Sequence, residues 1–479
     1  KENILRKLGR VKEAEELHKE SLKIDPLYDR QPEKINHNTL LELVIDLYEA
    51  GDYAQGITLA EKWVKQQNVS RQEDIYPLVY YYIAYGYQNL HRKENTEQAN
   101  CYMTMYVTLG ENAAADGCFP HRTEDYIVLK SLAEEYHLAM AYYYLGCLLY
   151  DRRVYDESIE DYEESILRSP DFPTVHRNLA LAYYNVKKLP QRAYEEMEKA
   201  FALDETDARV YLELDQLKKR LNVAVKERWS DMEKHFDLVE SRDDLYLEYV
   251  TLLNTLGEPE KALGLIKARK FHQWEGGEGK VAAQYLTALY QLAKAAVEKE
   301  DYAEAKELLL RAVGEYPHNL GEGKLESGQE NNLYYLLGLV QEKLGEAKDA
   351  FESLTRACCG ESEPVGMMYY NDQPPEMIYY QGLAYRMLGE EEQAVRRFQK
   401  LVDYGREHIR DDVKIDYFAV SLPDLLIFEE NLNERNRKHC LFMMSLGLKG
   451  LGRIDEAEKC AEELLAMDNA HQEIRVHDL

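Results

Sequence analysis

Tryptophan is scarce in this 479-residue chain, with three residues against 38 tyrosines. Basic residues are outnumbered, 59 Lys and Arg against 88 Asp and Glu, for a formal net charge of −29. A polyanion of this size repels nucleic-acid phosphates and anionic lipid surfaces, so neither is an expected partner. No apolar run approaches the roughly 20 residues of a membrane span. The longest, Leu138 to Tyr150, reads as a buried helix. The opening residues carry neither the charged nor the apolar region of a secretory leader. The seven cysteines, Cys101, Cys118, Cys147, Cys358, Cys359, Cys440 and Cys460, are odd in number and match no disulfide framework or zinc motif. They are expected to be reduced thiols in a reducing compartment. Together these absences point to a cytoplasmic location.

What the chain does contain is a period. Leu145, Gly146, Leu149, Tyr155, Tyr162 and Pro170 form an apolar ladder at helical spacing. The ladder returns at Leu179, Ala180, Tyr183, Ala193, Met197 and Ala200, with Leu179-Ala180 34 residues after Leu145-Gly146. That period belongs to two antiparallel helices stacked as a tetratricopeptide repeat. The expected fold is therefore all-α, a right-handed α-α superhelix of about ten helical hairpins. Small residues such as Gly146, Gly338 and Gly382 fall where two helices approach, and Leu-Gly pairs precede new helices as C-caps. Such a solenoid presents surface for partners and has no catalytic site by default. The tyrosines are expected mainly to pack at helix crossings, with hydroxyls reaching polar neighbours.

The organisation follows from the repeats. Residues 1–109 hold N-terminal units, the first lacking most of its first helix, which suggests a piece cut from a longer protein. The helix over Lys12–Ile24 is expected to be the least stable. Residues 110–125 read as a long loop, 126–269 as central units, and 270–479 as units joined by long loops. In this last region successive repeats exceed 34 residues. Insertions at one point of successive repeats emerge on one edge. Four loops are expected there: Lys270–Val281, Tyr316–Gln329, Gly360–Glu376 and Tyr404–Asn436.

The loops carry the candidate chemistry. Gly-Glu-Gly-Lys occurs at Lys280 and again at Lys324. Neither is a phosphate loop: Trp274 and His318 stand where its first glycine belongs, and Val281 and Leu325 where it needs Ser or Thr. The glycines serve matched turns, with Glu or Lys capping or bridging a neighbouring loop. A binding edge would comprise His272, Trp274, Glu275, Glu278, Lys280, His318, Asn319, Glu322, Lys324, Tyr369, Tyr370, Asn371, Asp372, Gln373, Tyr417 and Asp424. Flat aromatic faces beside carboxylates and amides suit a neutral glycan, although each carboxylate also suits a structural ion pair. His272 and His318 lack a third ligand at metal spacing, and no cofactor motif is present. The inward positions Tyr143, Cys147, Arg177, Leu181, Tyr379 and Leu383 lack the cationic clamp that grips a C-terminal carboxylate. They suggest an apolar, aromatic groove suited to another helix or domain.

The strings Asp204–Leu221, Arg242–Leu256, Phe271–Lys280, Asn319–Lys324, Tyr369–Met377 and Ile415–Phe428 add a resemblance. In them the chain resembles a family of large bacterial, carbohydrate-associated proteins of unassigned activity. Its members place a mutarotase-like β-sandwich before a repeat array. The resemblance implies such a domain upstream and transfers no catalytic residue. The expected function is a scaffold that binds a protein partner or its own N-terminal domain. The alternative is an accessory module whose loop edge completes a sugar site. An independent enzyme is not expected.

Overall fold

The apolar ladders fold as helices. The computed structural model describes residues 5, 8–24, 35–67, 75–94, 97–274, 276–324, 329–366, 372–414 and 427–477. It is 75% helix, with 24 α-helices and no strand among the described residues. No helix among them is long and apolar enough to cross a membrane. Antiparallel helix pairs recur throughout, and the fold is that of a tetratricopeptide solenoid. Two compact units result, Lys1–Lys187 and Lys188–Leu479.

The first unit holds α1 (Val11–Ile24), then the pairs α2 (His37–Glu49) with α3 (Tyr53–Gln67) and α4 (Pro77–Glu94) with α5 (Glu97–Asn112). A single helix, α6 (Thr123–Tyr136), precedes the pair α7 (Ala139–Asp151) and α8 (Tyr155–Arg168), and α9 (Pro173–Asn185) closes the unit. The loop expected over 110–125 is shorter, because α5 continues to Asn112 and α6 begins at Thr123. Asp125 explains the early start. Its fully buried carboxylate accepts the His121 and Arg122 backbone N–H groups at 2.9 and 3.0 Å and the Tyr82 hydroxyl at 2.8 Å. It thus satisfies orphan donors at the helix entrance and ties α6 to α4. In α1 only Ala14 is buried.

The second unit opens with α10 (Pro190–Leu203), α11 (Ala208–Arg220), α12 (Val225–Lys234) and the short α13 (Phe236–Ser241). The repeat expected over Leu179–Ala200 is thus divided, its first helix ending one unit and its second beginning the next. Five pairs follow: α14 (Asp243–Thr255) with α15 (Pro259–Ala268), α16 (Lys280–Glu298) with α17 (Tyr302–Ala312), and α18 (Asn331–Lys343) with α19 (Ala347–Ala357). The last two are α20 (Pro375–Met387) with α21 (Glu391–His408) and α22 (Leu432–Gly450) with α23 (Ile454–Met467). A final short helix, α24, spans Gln472–Val476. The fourth long loop, expected from Tyr404, begins only after His408, and α22 starts at Leu432.

Close approach within a pair rests on missing side chains. A Cβ on Gly146 would meet the Tyr162 ring at 2.5 Å, one on Gly338 the Leu354 side chain at 2.7 Å, and one on Gly382 the Phe398 ring at 2.5 Å. In each case the large residue lies sixteen positions on, in the second helix. Phe398 is also held from α22, where a Cβ on Gly450 would meet its ring at 2.2 Å. The ring is fully buried between the two glycines. Near the start of the unit, Arg228 is buried and donates to Asp215 at 3.0 and 2.6 Å and to Glu248 at 2.7 Å. This cluster joins α11, α12 and α14.

Gly450→Ala is expected to destabilise the second unit by about 1–3 kcal/mol, the usual cost of overpacking a filled core. Chemical denaturation followed by far-UV circular dichroism measures it. The same substitution at Gly264, where a Cβ meets nothing within 4 Å, is expected to be nearly neutral or stabilising.

Candidate functional site

The first two loops do meet, and their polar groups bond mainly to protein. Glu322 reaches from the second loop to the start of α16, accepting the Gly279 and Ala282 backbone N–H groups, each at 2.7 Å. A carboxylate there answers both the orphan N–H groups and the positive end of the helix dipole. Asn319 donates to the Ile266 and Arg269 carbonyls at 2.7 and 2.9 Å, and its own carbonyl accepts Phe271 N–H at 2.9 Å. Lys324 bonds the Val313 carbonyl at 2.5 Å and Glu330 at 2.8 Å. His272 bonds Asp243 through its backbone at 2.8 Å and its ring at 3.2 Å. Trp274 packs over Gly277, where a Cβ would meet the indole at 2.3 Å.

Glu278, Lys280 and His318 are exposed at the same edge. The hollow enclosed by His272, Trp274, Gly277, Glu278, Leu320 and Glu322 has a volume of about 10 Å³, room for about one water molecule. In the third loop, Gln373 is buried and neither atom of its amide has a partner among the described residues; Asp372 precedes it. Glu275, Tyr369, Tyr370, Asn371, Tyr417 and Asp424 lie outside the described residues.

A second constellation lies on the inner face of the second unit, a face the sequence suggested as a groove for another helix or domain without naming these residues. After α23 the chain turns back, and Asp468–His477 lies across the first helices of four pairs. Ile474 and Val476 are buried. Gln472 exchanges hydrogen bonds with Gln284 of α16 at 2.9 and 3.2 Å and donates to Thr255 of α14 at 3.2 Å. Lys294 of α16 donates to the Val476 carbonyl at 2.9 Å, and Lys449 of α22 to the His477 carbonyl at 3.3 Å. These carbonyls belong to the unpaired last turn of α24, where a cation also answers the helix dipole. The inner face is therefore not purely apolar and aromatic: it carries lysines that engage backbone carbonyls of the described residues. At the segment's start Asn469 and Asn222 pair through side chain and backbone at 2.6 and 2.7 Å.

The segment ends on a buried polar relay. Tyr290 and Tyr380 share a hydrogen bond of 2.6 Å, and Tyr380 bonds His477 Nδ1 at 2.8 Å. His477 Nε2 lies 3.2 Å from Glu473, one helical turn back. Glu376, in the first turn of α20 rather than in a loop, completes the group. Burial, and then the charge of Glu473, push Glu376 up to about 8. Burial works against the Glu473 carboxylate too, but its bond and attraction to His477 hold it below the usual range. Burial raises Tyr380 well above the ordinary phenol range. In the sequence the cluster leaves only the Glu473-to-His477 spacing, which puts both side chains on one helix face and is not by itself distinctive.

Family models agree with this architecture. Residues 143–208 and 290–364 match one tetratricopeptide repeat family, and residues 376–404 match a second. The chain therefore carries tetratricopeptide repeats. Among solved structures it is similar to YrrB, a tetratricopeptide protein with an unusual peptide-binding site, at 18% identity and TM-score 0.29, over 39% of this chain and 90% of that one. It is similar to yeast Tom70 at 10% identity and TM-score 0.31, over 100% of this chain and 93% of that one. A tetratricopeptide repeat protein from Parabacteroides merdae aligns at 14% identity and TM-score 0.24, over 64% of this chain and 98% of that one. These similarities concern the repeat fold and go no further.

Glu322→Ala leaves two N–H groups at the start of α16 without their acceptor. It is expected to cost about 0.5–2 kcal/mol, as loss of a helix cap does. Hydrogen exchange is expected to rise at Gly279 and Ala282 while the rest of α16 keeps its protection.

Proposed function

We propose that this chain is a protein-interaction scaffold whose second unit receives a short helical peptide segment on its inner face. The observation that carries this reading is the seating of Asp468–His477. A five-residue helix is too short to persist in water by itself. Here its apolar side chains are buried, and Lys294 and Lys449 hold the carbonyls at its end. That face is built to bind backbone and one apolar helix stripe. A partner segment of the same kind, from another protein or from a domain of the same polypeptide, would compete for it.

The loop edge gives the glycan alternative less support. Glu322, Asn319, Lys324 and His272 bond to neighbouring protein groups, and the hollow beside Trp274 is smaller than a sugar ring.

The test uses Ile474→Asp, which puts a charge on the buried stripe and should displace the segment. A labelled peptide of residues 468–477 is expected to bind this variant at least about tenfold more tightly than the parent chain, whose own segment competes at high effective concentration. Fluorescence anisotropy reads the difference. Equal affinities, or no binding to either chain, would count against the groove.

A further inference from the structure

Glu376, Glu473 and His477 bring one ligand atom each to within 4.8 Å of the others. The donors come from two sides. Glu376 belongs to the scaffold helix α20, whereas Glu473 and His477 belong to the seated segment. Glu376 is 8% exposed, yet no cationic side chain among the described residues pairs with it. A second carboxylate, Glu473, stands beside it. Glu376 is buried and Glu473 keeps about 40% of its side chain exposed, and two carboxylates this close repel one another unless a cation or proton lies between them. The imidazole is oriented for the purpose. Tyr380 engages Nδ1, and Nε2 lies 3.2 Å from the Glu473 carboxylate. A histidine bound to metal commonly gives its other ring N–H to such a second-shell group, fixing tautomer and orientation. In that state Nδ1–H donates to the Tyr380 oxygen, and the Tyr380 hydroxyl donates in turn to Tyr290.

We propose that Glu376, Glu473 and His477 form a divalent transition-metal site that latches the segment Asp468–His477 onto the inner face of the second unit. This rests on the reading of that face as a peptide groove, and it gives the groove a means of regulation. Two carboxylates and one imidazole neutralise a dication, and the nitrogen donor favours Zn²⁺ over the hard ions Mg²⁺ and Ca²⁺. Donors around a tetrahedral Zn²⁺ sit about 3.3 Å apart, so the three groups close by a small movement. The ion replaces any proton on His477 Nε2 and the proton that burial keeps on Glu376, and these leave to solvent. With the ion bound the segment is held; without it, exchange with a partner helix is easier. A partner bearing Glu and His one turn apart on one face could complete the same site.

Two measurements test this on the full chain. In equilibrium dialysis against Zn²⁺, the parent is expected to bind one equivalent more than Glu376→Gln, which keeps the side chain's size and removes its capacity to ionise. Equal stoichiometry overturns the site. In the second, the labelled 468–477 peptide is added to the Ile474→Asp chain in Zn²⁺ or in chelator. Zn²⁺ is expected to tighten binding at least about tenfold, a typical coupling. The gain should vanish when Glu376→Gln is added. Binding in chelator that Zn²⁺ leaves unchanged overturns the latch and leaves the groove standing. No peptide binding in either condition overturns the groove reading and the latch with it.

Discussion

The structure depends on how closely the two helices of a hairpin approach. At Gly146, Gly338 and Gly382 the first helix has no side chain, and a Tyr, Leu or Phe sixteen residues later fills the space. Each large residue becomes the centre of its pair, and the pair acquires a fixed separation and crossing. Because the constraint repeats, the first helices of successive pairs line up on one face. In the second unit this produces the surface on which Asp468–His477 lies. Phe398, held between Gly382 and Gly450, carries the same constraint from one pair to the next.

That inner face holds the chain's own segment with two kinds of contact. Ile474 and Val476 supply buried apolar area, worth roughly 1.5–3 kcal/mol for each fully buried side chain. Lys294, Lys449 and Gln284 supply bonds to backbone and amide groups, which fix the segment's direction and register. The relay from Tyr290 through Tyr380 to His477 adds a buried polar end that any other occupant would have to satisfy. On the proposed reading, affinity for an occupant would come mainly from the apolar stripe and selectivity from the polar end, where a group left unpaired costs about 1–3 kcal/mol.

The fold was largely legible because it is written in local, repeated patterns. The 34-residue ladder around Leu145 and Leu179 and the small residues at helix contacts predict helix pairs directly. Boundaries were less legible where one side chain decides them, as Asp125 does for α6. The join of the two Gly-Glu-Gly-Lys loops was also legible, since insertions at equivalent points emerge together. Their role was harder to see: Glu322 looks like a ligand-binding carboxylate until its two backbone partners are known. A groove suited to another helix was expected, but the polar cluster within it was not legible. Glu376 and His477 are 101 positions apart in sequence, and only the return of the chain after α23 brings them together. The Glu473-to-His477 spacing is common on solvated helices and gives no hint of burial by itself.

Hydrogen exchange of the backbone amides from Gln472 to His477 in the parent chain tests the central claim most directly. A five-residue helix that merely grazes the surface exchanges at nearly the rate of an unstructured peptide. A segment seated on the inner face opens only with local unfolding of that contact. The account predicts protection of at least about 100-fold over the unstructured rate, falling to near that rate in Ile474→Asp. Exchange in the parent at the unstructured rate would contradict it.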